Sequence, residues 1–187
     1  EGAEVSFTKK EARITEVIAD AAIVKLTNAE VSGNISAVNA AQINGSNVIV
    51  KNVTLVESFS TIPTLNAEKI SVDLESKFTV KSKLTADELD VTGNAEIKVD
   101  ALDKLNINST GFVAATGVKA TSTINTVNVI AGNNKEGELN TTSITLGTLT
   151  NDGILTATET TINAGENNNT ISGTFTVAGA FAQNGTA

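Results

Sequence analysis

The chain has 187 residues, a formal net charge of −8 and thirteen basic residues, so it lacks a general basic surplus with which to neutralise phosphates, and nucleic acid is not an expected partner. His, Cys, Met, Trp and Tyr are all absent, which removes disulfides, thiolate nucleophiles, the usual zinc and redox-metal ligands and most base-stacking platforms. The 40% apolar share is carried by Val, Ile, Leu and Ala, and no run is long enough to cross a bilayer as a helix.

In chain order, residues 12–24 come first as a distinct segment. Ile14, Val17, Ile18 and Ala21 recur at helical spacing with Glu11, Glu16 and Asp20 opposite, which predicts a short amphipathic helix covering an open first coil. With no methionine in the chain, Glu1 is expected to be a processed terminus or a cut within something larger.

From Leu26 onward, short strand-like pieces alternate with polar corners. Asn47-Val48-Ile49-Val50, Lys77-Phe78-Thr79-Val80, Glu96-Ile97-Lys98-Val99 and Val127-Asn128-Val129-Ile130 are too short for core helices. Asn44-Gly45, Gly93-Asn94, Gly132-Asn133 and Asp152-Gly153 read as corners, and Pro63 as part of a loop. Leu65, Leu84 and Leu102 read as equivalent starts of successive coils, with residues 43–64 as a longer coil bulging at 58–61. Near Leu105 the charged residues thin out and Thr, Asn and Gly take over, without a change in corner spacing. The run Asn167-Asn168-Asn169 suits amide ladders between coils, or a plain solvated loop.

Gly33, Gly93, Gly153 and Gly173 are separated by multiples of about twenty residues, the kind of period that marks a solenoid. Three of them lie in similar phrases, Val31-Ser32-Gly33-Asn34, Val91-Thr92-Gly93-Asn94 and Ile171-Ser172-Gly173-Thr174, which predicts one corner built repeatedly. The fold expected is all-β: a right-handed parallel β-helix, with residues 1–24 as an N-terminal strand or cap and 25–187 as the solenoid. Tandem β-sandwich domains are the alternative, since turn signals also recur at the spacing a sandwich needs.

Catalytic chemistry is not expected. General acid–base work favours His, Tyr, Lys or a tuned carboxylate pair, and the carboxylates available, Asp87, Glu88 and Asp90 or Asp100 and Asp103, read as solvated corner charges. Calcium at Asp87, Asp90, Asp100 or Asp103 is left open, although no calcium-loop spacing is present, and no cofactor is expected. Seven Asn-x-Ser/Thr sequons, at Asn34, Asn44, Asn52, Asn108, Asn140, Asn168 and Asn184, fit a surface location. Thr-x-Thr pairs at Thr121/Thr123, Thr148/Thr150, Thr156/Thr158 and Thr174/Thr176 raise ice binding, but they do not keep a twenty-residue register.

The phrases Ala29-Glu30-Val31-Ser32-Gly33-Asn34-Ile35 and Leu89-Asp90-Val91-Thr92-Gly93-Asn94-Ala95-Glu96-Ile97, with the Thr/Asn/Gly-rich stretch 146–186, resemble the repeats of bacterial surface β-helix proteins, namely autotransporter passengers and filamentous haemagglutinin-like adhesins. The resemblance implies a non-enzymatic, secreted cell-surface rod that adheres or forms a layer such as an S-layer, with protein or glycan partners or with copies of itself. The Val-x-Gly-Asn-Ile phrase is also similar to bactofilins, cytoplasmic β-helices that polymerise end to end, although the long coil around Pro63 and a helix at one end argue against that. A β-helix acting on polysaccharides, with its catalytic cleft elsewhere, is the remaining alternative.

Overall fold

Runs of β-branched and aliphatic residues with apolar positions two apart bury one side of an extended chain and leave backbone donors and acceptors along both edges. Here those edges are satisfied by the preceding and following coils. The computed structural model describes residues 4–7, 13–133 and 135–187; the chain is a parallel β-solenoid of about 10 turns, with no helix among the described residues. Every strand pairing among them is parallel, so the sandwich alternative, which needs antiparallel sheets, does not apply.

Each coil contributes to three ladders that run along the stack. The first face is built from Ile23–Thr27, Gln42–Ser46, Phe59–Thr61, the starts of Lys77–Val91 and Asn94–Ile107, then Phe112–Gly117, Glu138–Thr142 and the starts of Ile154–Asn167 and Thr170–Val177. The second and third faces follow within each coil, separated by a sharp bend. Along the third face Val17, Ile35, Val53, Ile70, Leu89, Leu105, Val127 and Leu149 stand one above another, all buried. Neighbouring parallel strands lie about 4.8 Å apart, so each of these side chains covers the next.

The segment 12–24 does not form the expected helix. Ala12 and Glu11 lie outside the described residues, while Arg13–Ile14, Val17–Asp20 and Ile23–Thr27 are strands already paired to the next coil. Val17 and Ala19 point inward and Ile18 is 71% exposed, which is strand alternation. A helical stripe would have buried Val17 and Ile18 together. The stack therefore begins before residue 25.

The twenty-residue beat is not the period of the coil. Leu89 stacks on Leu105, 16 residues on, and Leu105 on Val127, 22 residues on. The glycine phrases occupy three different places: Gly33 at the bend between the second and third faces, Gly93 between the third and first, and Gly173 inside a strand of the first. What recurs instead is a pair of outward residues between two inward ones at the second bend, as in Val50-Lys51-Asn52-Val53, Ala67-Glu68-Lys69-Ile70, Ala86-Asp87-Glu88-Leu89 and Leu102-Asp103-Lys104-Leu105.

Several local expectations change with the register. Asn44-Gly45 lies inside the strand Gln42–Ser46 rather than at a corner. Residues 58–61 are not a bulge: Phe59–Thr61 is a strand with Ser58 and Ser60 buried, and Ile43 pairs with Ser60 in a coil of ordinary length. Leu65 and Leu84 are register partners, but on the next coil Leu84 pairs with Val99 and Leu102 with Ala86. Pro63 does lie at a bend, between Phe59–Thr61 and Thr64–Val72. The left-handed corner conformation falls mostly to residues other than glycine, such as Asn28 (φ 49°), Asn39 (φ 54°) and Asn47 (φ 52°), where asparagine is the least strained choice. Gly93 is needed for space: a Cβ there would lie 2.3 Å from the Asp73 carbonyl oxygen of the coil below.

Truncating Leu89, fully buried between Ile70 and Leu105, should cost about 2–5 kcal/mol by loss of contacts and cavity formation. Ile18→Ala should stay within about 0.5 kcal/mol, as for other exposed positions. Urea unfolding of both variants checks the pair, and a large loss at Ile18 would contradict the strand register.

Candidate interaction faces

The carboxylates picked out by sequence separate onto different parts of the rod. On the third face Glu88 and Asp90, two residues apart on one strand, both point outward. Lys69 from the coil below reaches Glu88 Oε2 at 3.2 Å and Asp90 Oδ2 at 3.0 Å, and Lys104 from the coil above reaches Glu88 Oε1 at 3.2 Å. The Asn106 amide donates to both carboxylates and accepts from Asn128 Nδ2 at 2.8 Å. The hydrogen bond from Lys69, reinforced by Lys104, holds the Glu88 carboxyl below its ordinary range against a smaller opposing effect of burial. Asp90 first, and then Glu88, raise Lys69.

Asp100 sits at the bend between the first and second faces, clamped by Lys119 Nζ at 2.6 Å and Lys83 Nζ at 2.9 Å. Those two lysines lower its carboxyl. Asp87 and Asp103 occupy the next bend, Asp103 accepting from Asn125 Nδ2 at 2.6 Å. Asp100 and Asp103 thus lie at different bends and form no pair. Glu88 and Asp100 are held ionised, the reverse of what a proton donor at neutral pH requires. Among the described residues no three His, Cys, Asp or Glu side chains gather into a set that could hold a metal ion.

Asparagine works between coils, as the run 167–169 suggested. Outside, Asn184 Nδ2 donates to Asn168 Oδ1, and Asn168 Nδ2 to Asp152 Oδ1, both at 2.8 Å. Inside, the fully buried Asn151 and Asn167 are hydrogen-bonded to each other, and Asn151 also donates to the Thr170 carbonyl at 2.9 Å. Asn34 and Asn52, two of the sequon asparagines, are likewise joined at 2.8 Å, as are Asn28 and Asn47. Among the described residues two buried oxygens, Ser60 Oγ and Asn151 Oδ1, have no hydrogen-bond partner.

The Thr-x-Thr pairs keep no twenty-residue beat, but single threonines do stack from coil to coil. Thr116, Thr142, Thr158 and Thr174 stack on the first face, flanked by Asn140, Thr156 and Ser172. Thr123, Thr145, Thr161 and Thr176 stack on the second. Sequence reasoning missed these ranks because the last coils are 16 residues long, as Thr142 to Thr158 shows. Thr174/Thr176 straddles a bend, whereas Thr156/Thr158 share the first face and Thr148/Thr150 the third.

Comparison with known proteins finds no family model, curated protein or solved structure that matches the chain.

Two predictions follow from these side-chain contacts. Asn167→Ala removes an acceptor from a buried amide, a bond to the Asn169 carbonyl at its own corner and one to the Thr186 carbonyl of the next coil, so stability should fall by about 1–3 kcal/mol and the Thr186 amide, which donates to the Asn169 carbonyl, should exchange faster with solvent. The second concerns acid. Because the fold lowers the carboxyls of Glu88 and Asp100, their contribution is fully present above the ordinary carboxylate range and is lost as pH falls through their depressed folded values. Thermal melts should therefore decline below about pH 4, and less steeply in Asp100→Asn; an equally steep decline in that variant would count against the clamp.

Proposed function

We propose that this chain is a non-enzymatic structural or adhesive module of a prokaryotic cell surface, a stiff rod whose polar sides meet glycans, matrix or neighbouring subunits. The observation that carries this reading is the stack of mostly aliphatic side chains inside three parallel ladders, with ion-paired, amide and threonine-bearing faces outside. About ten coils at about 4.8 Å each give a rod of roughly 50 Å. Many modest polar contacts along such a rod favour avidity over one deep pocket. The cell-surface location rests on the resemblance of the Gly-Asn phrases to surface β-helix repeats.

A second reading, a scaffold that polymerises end to end, has one observation in its favour. Within residues 167–187, Val177 is 41% exposed and Phe175 and Phe181 are only partly covered, and the stretch carries no charged side chain, so it offers apolar surface to another β-structure without the charges that usually guard an edge.

Antibody labelling of intact cells that make the protein should stain without permeabilisation, and trypsin should cut the folded chain slowly despite its thirteen basic residues. Staining only after permeabilisation, together with filaments in electron micrographs, would favour the scaffold.

A further inference from the structure

The rod has a net charge of −8, yet one stretch of its first face is basic. Lys77, Lys81 and Lys98 point outward there, exposed, and make no ion pair among the described residues. Two shallow depressions of about 230 and 460 Å³ meet at Lys81 and Glu96. Lys77 and Thr79 line the smaller and Lys98 the larger. At the adjoining bend Lys83 and Lys119 outnumber the single carboxylate, Asp100, that they share. Five lysines thus face two carboxylates, Glu96 and Asp100, on a protein that is otherwise acidic.

Lys81 and Lys98 directly follow Val80 and Ile97, which pair across neighbouring coils, and both line the same depression. Like charges held side by side on adjacent strands are destabilising unless something neutralises them. On the third face the fold supplies that neutralisation, since Lys69 and Lys104 flank Glu88. On the first face it does not. At the lower end of the patch, Phe59 lies in register beside Lys77 and is 47% exposed, the most exposed aromatic ring among the described residues.

We propose that this lysine patch binds an acidic polysaccharide, a sugar chain carrying carboxylate or sulfate groups, with Lys77, Lys81 and Lys98 meeting successive anions and Phe59 lying against a sugar ring. Lysine is a mobile point charge on a flexible stem and suits anions repeated along a chain better than one fixed bidentate group. A trough that crosses several coils accepts an extended polymer, and repetition makes weak contacts add. A duplex nucleic acid is usually held through about 6–10 phosphate contacts, more than these lysines supply, and a membrane would require more apolar surface than one ring provides. This inference deepens the adhesive reading by naming the face and the charge of its ligand.

The intact chain would be tested for binding to polygalacturonate, to heparin and to neutral dextran, with phosphatidylserine vesicles as a fourth probe. Polygalacturonate or heparin should bind at low salt, the two separating carboxylate from sulfate recognition, and release near 0.5 M salt, where screening leaves a range of only a few ångströms, about 4 Å. The double variant Lys81→Glu/Lys98→Glu, both changes on exposed strand positions, should weaken binding by about tenfold or more, with an unchanged circular dichroism spectrum. Lys104→Gln, on the third face, should bind as the parent does. Equal binding to dextran, tighter binding to the vesicles, or no loss in the folded double variant would overturn the proposal. Because this readout uses purified protein, its failure is separable from failure of the surface labelling.

Discussion

Backbone hydrogen bonds between one coil and the next are the constraint on which everything else in this protein rests. Parallel pairing fixes each residue above a definite partner, so inward positions must stack apolar on apolar and outward positions must tolerate a neighbour of their own kind. The third-face column from Val17 to Leu149 obeys the first condition. The lysine–glutamate–lysine sequence at Lys69, Glu88 and Lys104 obeys the second by alternating sign. Asparagine satisfies it differently, since an amide both donates and accepts and can bond to a copy of itself, as Asn168 and Asn184 do.

The rod's two halves solve the outward condition with different chemistry. Below about Leu105, lysines and carboxylates are interleaved; above it, Thr116, Thr142, Thr158 and Thr174 repeat without any charge. The ladders continue through this change, with Leu105 on Val127 and Val127 on Leu149. Surface identity is thus independent of the interior that supports it, and a basic patch and neutral hydroxyl ranks can coexist on one face.

The solenoid class was legible in the vocabulary of the sequence: short β-branched runs, no aromatic bulk beyond six phenylalanines, and amide-rich corners. The period was not, because glycine drew attention to spacing while its real role differs from place to place. Gly93 avoids a carbonyl of the coil below, whereas Gly165 (φ 138°) lies within a strand. The dependable signal was the paired outward residues of Ala86-Asp87-Glu88-Leu89 and its counterparts, visible only when coil length is allowed to vary. Ile14, Val17, Ile18 and Ala21 satisfied a helical count by accident of a short window, and the inter-coil bonds of Val17–Asp20 decided in favour of strand. The charge clamps at Asp100 and Glu88 were out of reach of sequence, since Lys83, Asp100 and Lys119 come from three separate coils.

The ladders give the molecule a mechanical grain, because each coil is bonded only to the coils directly before and after it. Under tension along the chain, a coil freed from one neighbour is held by the other alone and would peel next. Each release of 16 or so residues would lengthen the tether by roughly 50 Å. A rod built this way would yield under load as a staircase, shedding one winding at a time while the windings behind it stay intact.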